Sequence, residues 1–298
     1  MKRRAMLQTL IAAGAVSFGQ ESDFTLRSDV RLVLLDVAVK DRKGRPVAGL
    51  AKDNFSVYED GRKQTLTVFT HDDLPVTIGI LVDSSSSMRP IRVQVLAAAD
   101  VFITESNPHD EVFVLNFNDR VTRGLPANTL FSDNRDQLRE ALRRVIPQGK
   151  TALNDAVVDA LEQLKKGRRE KKALIVISDG GDNASAHSRR DTLALVQRST
   201  ATIYCIGIYE EDNLERDSAF LSLLANISGG ETYFPKSPEA LTSICRRIAH
   251  DIRARYTVGY IPSAFPGAKT LRHITVRVSA PEKGKLIART RTSYSYET

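Results

Sequence analysis

Asp83, Ser84, Ser85, Ser86 and Ser87 follow without a break on the apolar run Val76-Thr77-Ile78-Gly79-Ile80-Leu81-Val82. A short run rich in β-branched residues reads as a buried strand, so the acid and the hydroxyls fall where that strand ends. In open α/β sheets this carboxyl edge is where ligands bind. A spacing of two from Asp83 to Ser85 to Ser87 gathers one carboxylate and two hydroxyls in one tight loop. Oxygen-only donor sets suit hard divalent cations such as Mg²⁺. Two later segments repeat the geometry. Ala173–Ser178 is another buried-strand run and ends in Asp179-Gly180-Gly181-Asp182. Thr151 follows Gln148-Gly149-Lys150 and opens a helix in which Leu153, Val157, Ala160, Leu161 and Leu164 recur at helical spacing. Asp83, Ser85, Ser87, Thr151 and Asp179 are therefore the candidate ligands above one sheet edge. Taken singly, each piece also has a plainer reading: a solvated serine loop and a common Asp-Gly turn.

The three pieces together, Asp83-x-Ser85-x-Ser87, Gly149-Lys150-Thr151 and Ile177-Ser178-Asp179-Gly180, resemble the metal-ion-dependent adhesion site of von Willebrand factor A domains. The resemblance covers residues 74–252. It implies that Ser85, Ser87 and Thr151 offer hydroxyls to the metal directly, while Asp83 and Asp179 hold it partly through water. The implied metal is Mg²⁺, with Mn²⁺ or Ca²⁺ as substitutes. Ser86 stands where many relatives have Gly. The flanks, with Asp36-Val37-Ala38-Val39, Gly44-Arg45-Pro46-Val47, Asp53–Gly61 and Tyr256-Thr257-Val258-Gly259-Tyr260, look like a bacterial exported family of related proteins.

These motifs need strands and helices in alternation to position them. Strand-like runs occur at Val76–Val82, Val112–Phe117, Ala173–Ser178 and Thr202–Ile208, with weaker ones around Val121 and Thr232–Phe234. Helical patterns occupy Ile91–Thr104, Arg135–Val145, Thr151–Lys165, Arg189–Ser199, Ser218–Ile227 and Pro238–Asp251, the last capped by Ser237-Pro238-Glu239. Such alternation predicts an α/β fold: a doubly wound, mostly parallel, Rossmann-like sheet. The flanks differ. Val33, Leu35, Val37 and Val39 share one face, and Asp41–Gly44 and Glu59-Asp60-Gly61 read as turns. After Ile252, strand-like runs cover Tyr256–Ile261, His273–Val278 and Lys285–Tyr296. About three strands per flank need a partner surface. The expected solution is one β-sandwich built from residues 20–73 and 253–298, with the α/β domain of 74–252 inserted. The alternative is two separate β-appendages.

The 298 residues are 42% hydrophobic and 27% charged, with a net charge of +7, an ordinary globular balance. Lys2-Arg3-Arg4 followed by the short apolar stretch Met6–Gly19 predicts an export signal over 1–19, by the general or the twin-arginine route, and hence a periplasmic or extracellular protein. No other stretch is long enough to predict a membrane span. The densest cationic cluster, Lys165–Lys172, precedes the Ala173 strand and so falls on the edge opposite the candidate metal. Without interleaved aromatics, and with no Trp in the chain, it predicts a solvated helix end rather than a nucleic-acid surface. Cys205 and Cys245 each lie on an apolar face and are expected as free core thiols.

The hydroxyls are neutral ligands. With both carboxylates acting mainly through water, the cation would keep positive charge and an open position for an Asp or Glu of a partner protein. This points to a metal-dependent protein-binding or adhesion module rather than an enzyme. A Mg-dependent hydrolase and a purely structural envelope protein are the alternatives. Against the hydrolase, the chain has no P-loop, no G-x-G-x-x-G after a strand, no H-E-x-x-H and no G-x-S-x-G. The five His are scattered singly. His187, in the loop after Asp182, lies nearest the candidate metal edge, and His250 falls near a helix end.

Overall fold

A computed structural model describes residues 32–208, 217–262 and 270–295. The export signal expected over 1–19 lies outside the described residues.

The strands are β1 (Val33–Lys40), β2 (Phe55–Glu59), β3 (Arg62–Gln64), β4 (Leu66–Thr70), β5 (Val76–Asp83), β6 (Glu111–Phe117), β7 (Val121–Arg123), β8 (Lys171–Ser178), β9 (Thr202–Gly207), β10 (Thr232–Tyr233), β11 (Tyr256–Tyr260), β12 (Leu271–Val278), β13 (Ile287–Arg289) and β14 (Ser293–Ser295). The helices are α1 (Arg92–Glu105), α2 (Arg135–Arg143), α3 (Leu153–Lys165), α4 (Arg189–Arg198), α5 (Ser218–Ser228) and α6 (Ala240–Arg253).

Six strands form the central sheet in the order β10-β9-β8-β5-β6-β7. All neighbours are parallel except the edge strand β7, which returns antiparallel on β6. β5 is buried along its whole length, as expected for an apolar strand covered on both faces. Helices form two packed groups: α1 with α6 and α2, and α3 with α4, itself against α5. This is the predicted α/β architecture. The chain runs from β5 outward to β6 on one side, then returns to place β8 on the other. Strand order therefore reverses at β5, which makes the carboxyl ends of β5 and β8 the topological switch point.

The flanks build two four-stranded antiparallel sheets, β13-β1-β11-β4 and β14-β12-β2-β3. Each sheet takes strands from both flanks. Val33, Leu35, Val37 and Val39 all point inward, as their alternation predicts, and join Phe55, Val57, Tyr256, Val258, Tyr260, Ile274 and Tyr294 in one apolar core. The Phe55 and Tyr256 rings lie 5.0 Å apart across the two sheets. The flanks thus pack as a sandwich and not as separate appendages. Glu59, fully buried, accepts from Tyr260 Oη at 2.6 Å and Tyr294 Oη at 2.8 Å and pairs with Arg272.

Three expectations change. Each flank supplies four strands, not three. The run Lys285–Tyr296 is two strands in opposite sheets: β13 pairs with β1 and β14 with β12. A strand that crosses between facing sheets keeps its inward parity, so alternation alone cannot show the crossing. Finally, α6 starts at Ala240 with no side-chain cap. The carbonyls of Ser237 and Pro238 accept from Ala240 and Leu241 N–H instead. Cys205 and Cys245 are buried free thiols, and burial pushes the Cys245 thiol up to about 12.

Candidate metal centre

β5 delivers Asp83 to its carboxyl end, and β8, beside it in parallel, delivers Ser178. The register Val82↔Ile177 brings the next residues together, and Ser178 Oγ donates to Asp83 Oδ2 at 2.6 Å. Asp83 Oδ1 accepts from Ser85 N–H at 2.8 Å, which folds the serine loop back over its own strand. Ser85 Oγ and Ser87 Oγ are then 3.0 Å apart, and Ser87 Oγ donates to Asp179 Oδ2 at 2.8 Å. Asp179 Oδ1 accepts from Gly181 N–H at 3.0 Å. Four of the five predicted residues, Asp83, Ser85, Thr151 and Asp179, are buried, whereas Ser87 is exposed. The cradle opens to solvent on the Ser87 side.

Thr151 arrives on the loop before α3, which is tied to both others. Gln148 N–H donates to Ser84 O at 2.9 Å and Ser86 N–H to Gly149 O at 3.1 Å. Thr151 N–H donates to Asn183 Oδ1 at 2.9 Å, and Thr151 O accepts from Asn183 and Ala184 N–H. The helix opens two residues later than predicted, at Leu153, with Ala152 as a cap that has no acceptor of its own. Its first turn is served from the β8 loop: Asp182 Oδ2 accepts from Asn154 N–H at 2.7 Å and Ser185 Oγ from Asp155 N–H at 3.1 Å. In return Asp155 accepts from Ala186 and His187 N–H and pairs with His187 Nδ1 at 2.7 Å. His187 is thus engaged by α3.

Ser178, Asn183, Asp182, Ser185 and Asp119 are the residues that sequence reasoning missed. Asp119 Oδ1 accepts from Lys150 N–H at 3.1 Å. Their signal existed only as position: Ser178 ends β8 and the others lie in loops at the same sheet edge. Strand order and register are needed to turn that into contact.

Burial pushes the Asp83 carboxyl up to about 6; its hydrogen bonds from Ser178 and Ser85 oppose this and the nearby Asp179 charge adds to it. Two acids thus share a mostly buried pocket in which a cation would relieve their repulsion. Among the described residues no group of three or more His, Cys, Asp or Glu could hold a metal ion; the candidate donors are the carboxylates of Asp83 and Asp179 and the hydroxyls of Ser85 and Ser87, with Thr151 brought alongside through its backbone. Neighbouring oxygens around an octahedral ion with metal–oxygen distances of about 2.1 Å lie about 3 Å apart, which is also the separation of Ser85 Oγ and Ser87 Oγ. The donor chemistry fits a hard divalent cation. A separate cavity of about 410 Å³, lined by Leu34, Asp36, Val68, Leu74, Lys171 and Thr202 among others, lies at the starts of β8 and β9 and holds none of the five.

The chain resembles a von Willebrand factor type A protein from Catenulispora acidiphila at 13% identity and a TM-score of 0.55, over 81% of this chain and 73% of that one. It resembles the vWF domain of the type V pili tip protein Mfa5 from Porphyromonas gingivalis at 13% identity and 0.50, over 60% and 95%. A third solved structure, proximal thread matrix protein 1 from the mussel byssus with a zinc-occupied MIDAS motif, aligns at 18% identity and 0.52, over 65% and 50%. At these identities the likeness concerns the fold. No curated protein matches the chain significantly. The family model for the von Willebrand factor type A domain, however, matches residues 77–247, more than half of the sequence. The chain belongs to the von Willebrand factor type A domain family.

Proposed function

We propose that this protein is an exported binding module that captures an acidic group of a partner protein through a divalent cation held by Asp83, Ser85, Ser87, Thr151 and Asp179. Domains of the family are in general interaction modules rather than enzymes, and the proposal gives that general role a chemistry. One observation carries it: three loops from distant parts of the chain, laced by backbone hydrogen bonds, bring two carboxylates and hydroxyls to the switch point with an opening beside Ser87. Ser85, Ser87 and Thr151 would be direct ligands. Asp83 and Asp179 would act mainly through water, with Ser178 and Gly181 N–H fixing their orientation. A cation compensated mainly by neutral hydroxyls retains charge for an incoming Asp or Glu. Mg²⁺ is the proposed resident ion, with Mn²⁺ or Ca²⁺ able to replace it. A zinc-occupied site of the same kind in the mussel protein supports the type of site.

Export is proposed from the basic and apolar start of the sequence, and a pilus-tip protein among the structural neighbours is compatible with it. Among the described residues no helix is long and apolar enough to cross a membrane. The partition into 1–19, 20–73, 74–252 and 253–298 is likewise proposed, the first segment being removed on export.

Calorimetric titration with Mg²⁺ tests the reading. The natural sequence binds the ion and gains thermal stability by mass action. Asp83→Ala abolishes both while retaining its circular dichroism spectrum. Absence of Mg²⁺ and Mn²⁺ binding by the natural protein overturns the proposal.

A further inference from the structure

Two apolar side chains stand out on the surface. Val93 is 76% exposed and Ile146 is 77% exposed, whereas no other exposed large hydrophobic among the described residues exceeds 47%. Isolated exposed aliphatics need no explanation, but these two sit on segments that flank the site loops and are tied to each other. Val93 is in the first turn of α1, which follows the serine loop directly, and Ile146 is in the loop leading to Thr151. The two positions are joined through their neighbours. Arg92 Nη2 donates to Leu142 O at 2.6 Å and Val145 O at 2.9 Å, and Arg92 Nη1 to Ser84 Oγ at 3.3 Å. Arg89, at the end of the serine loop, reaches across to Pro147 O at 3.1 Å.

The rim formed by these segments carries cations without ion pairs. Arg89 and Lys150 are exposed, and neither has an ion-pair partner among the described residues. The acids nearby are oriented by neutral donors instead: Asp119 accepts from Lys150 N–H, and Asp182 from Asn154 N–H and Ser185 Oγ. The rim therefore offers two unpaired cations and two bare aliphatic side chains beside an opening that suits a carboxylate.

We propose that this rim selects a protein segment in which the metal-seeking Asp or Glu is accompanied by a bulky apolar residue and by a further acid. The apolar residue rests on Val93 and Ile146; the second acid meets Arg89 or Lys150. The inference rests on the metal-dependent reading above and names its partner class. An anionic glycan lacks the apolar group, and an anionic lipid headgroup presents its acid without a bulky apolar side chain beside it. The two recognition elements act differently. Aliphatic contacts lower the dissociation rate by keeping water out, whereas rim charges mainly speed encounter and make it salt-dependent.

A random linear peptide display library, panned on the full chain in Mg²⁺ and eluted with EDTA, provides the test. Eluted clones should be enriched in Asp or Glu with Leu, Ile, Phe or Met close by. For a synthetic peptide of the most enriched sequence, Ile146→Ser and Val93→Ser should each weaken binding by about tenfold, the size of burying one aliphatic side chain. Arg89→Ala and Lys150→Ala should slow association and flatten its salt dependence. Both apolar sites are exposed, so the serine variants should fold as the natural protein does. EDTA-eluted peptides that carry acids without apolar neighbours, or that bind Ile146→Ser and Val93→Ser unchanged, overturn the inference and leave the metal reading standing. Peptides whose capture ignores EDTA overturn the metal reading itself. Tighter EDTA-sensitive binding to heparin or to phosphatidylserine vesicles than to any peptide overturns the choice of a protein partner.

Discussion

The central sheet has two ends, and the sequence puts cations at both. At the starts of β5, β8 and β9 most of the cations have acidic partners. Arg168 Nε is 2.9 Å from Glu111, Arg169 Nε 3.9 Å from the same carboxylate, and Lys171 Nζ 3.9 Å from Asp36. Lys165 pairs with Glu162 at 2.6 Å. Deeper in, Arg255 joins the α/β core to the sandwich. It donates to Tyr204 Oη at 3.0 Å and to Asp36 O and Gly229 O at 2.9 Å each, with Asp251 at 3.5 Å. Lys40 of β1 reaches Asp251 at 2.8 Å and also pairs with Glu231. At the carboxyl end, by contrast, Arg89 and Lys150 face outward beside bare aliphatic residues. Net charge cannot tell these ends apart. Partnering can: one end is a joint within the molecule, and the other carries Arg89 and Lys150 with no ion pair among the described residues.

The largest effect should come from breaking the joint. Arg255→Met removes one partner of a buried ionic network and leaves Asp251 with the Lys40 cation and the Tyr204 hydroxyl. Loss of a buried partner costs about 3–5 kcal/mol, read as a lower urea midpoint. β5, eight residues long, spans roughly 23 Å at the usual strand rise, so the two ends should respond independently. Mg²⁺ affinity should change by less than about 0.5 kcal/mol. A large loss of Mg²⁺ binding in folded Arg255→Met protein would show that the ends are coupled and the contrast is wrong.

Acid should act on the same joint. Burial alone would raise Asp251, but the Arg255 and Lys40 charges and the Tyr204 hydrogen bond outweigh it and hold the carboxyl low. Glu231 is lowered likewise, by hydrogen bonds from Lys40 and Tyr233 and by the Lys40 charge, against burial. A carboxyl depressed on folding stabilises fully above its unfolded value, and that stability is lost as the pH falls through its folded value. Melting temperature should therefore drop steeply below the ordinary carboxylate range, and Asp251→Asn should flatten the drop. An unchanged profile in Asp251→Asn refutes the assignment.

Much of this contrast was legible in the sequence, because apolar runs and the loops that follow them fix which end a residue occupies. The placement of Asp83, Ser85, Ser87, Thr151 and Asp179 at one end followed from that, as did the placement of Lys165–Lys172 at the other. What could not be read was partnership across the chain. Ser178 meets Asp83 only because β8 pairs with β5 in a particular register. Asn183 meets Thr151, and Glu111 meets Arg168, through loops whose approach no local pattern encodes. The crossing of residues 290–292 between sheets was hidden for the same reason: inward parity survives a change of partner.

A smaller change should make the two ends alike. Glu111→Gln removes the shared acceptor of Arg168 and Arg169. Glu111 also accepts from Thr77 Oγ1 at 3.1 Å and Arg168 N–H at 2.9 Å. An amide can keep part of these bonds, so the loss should be about 1–2 kcal/mol in urea titration. The variant should also elute from heparin at higher salt, since the freed guanidinium groups then face solvent. If elution does not move, Glu111 is not what neutralises that end.

The finest test concerns the carboxyl end alone. Gly149 has φ of +75°, a region that side chains with a Cβ adopt at a cost of about 1–2 kcal/mol. An added Cβ would also lie 1.8 Å from Asp119 Oδ2. The carboxylate can swing aside, but Lys150 N–H would then lose its acceptor. Lys150 precedes Thr151, and Gly149 O holds the serine loop through Ser86 N–H, so the strain falls on two of the three site loops at once. Gly149→Ala should therefore lower stability by about 1 kcal/mol and weaken Mg²⁺ binding disproportionately, whereas Glu111→Gln leaves that binding alone. Equal Mg²⁺ affinity in Gly149→Ala and the natural protein would mean that the loop carrying Thr151 does not shape the cradle, and Thr151 would then have to be removed from the ligand set.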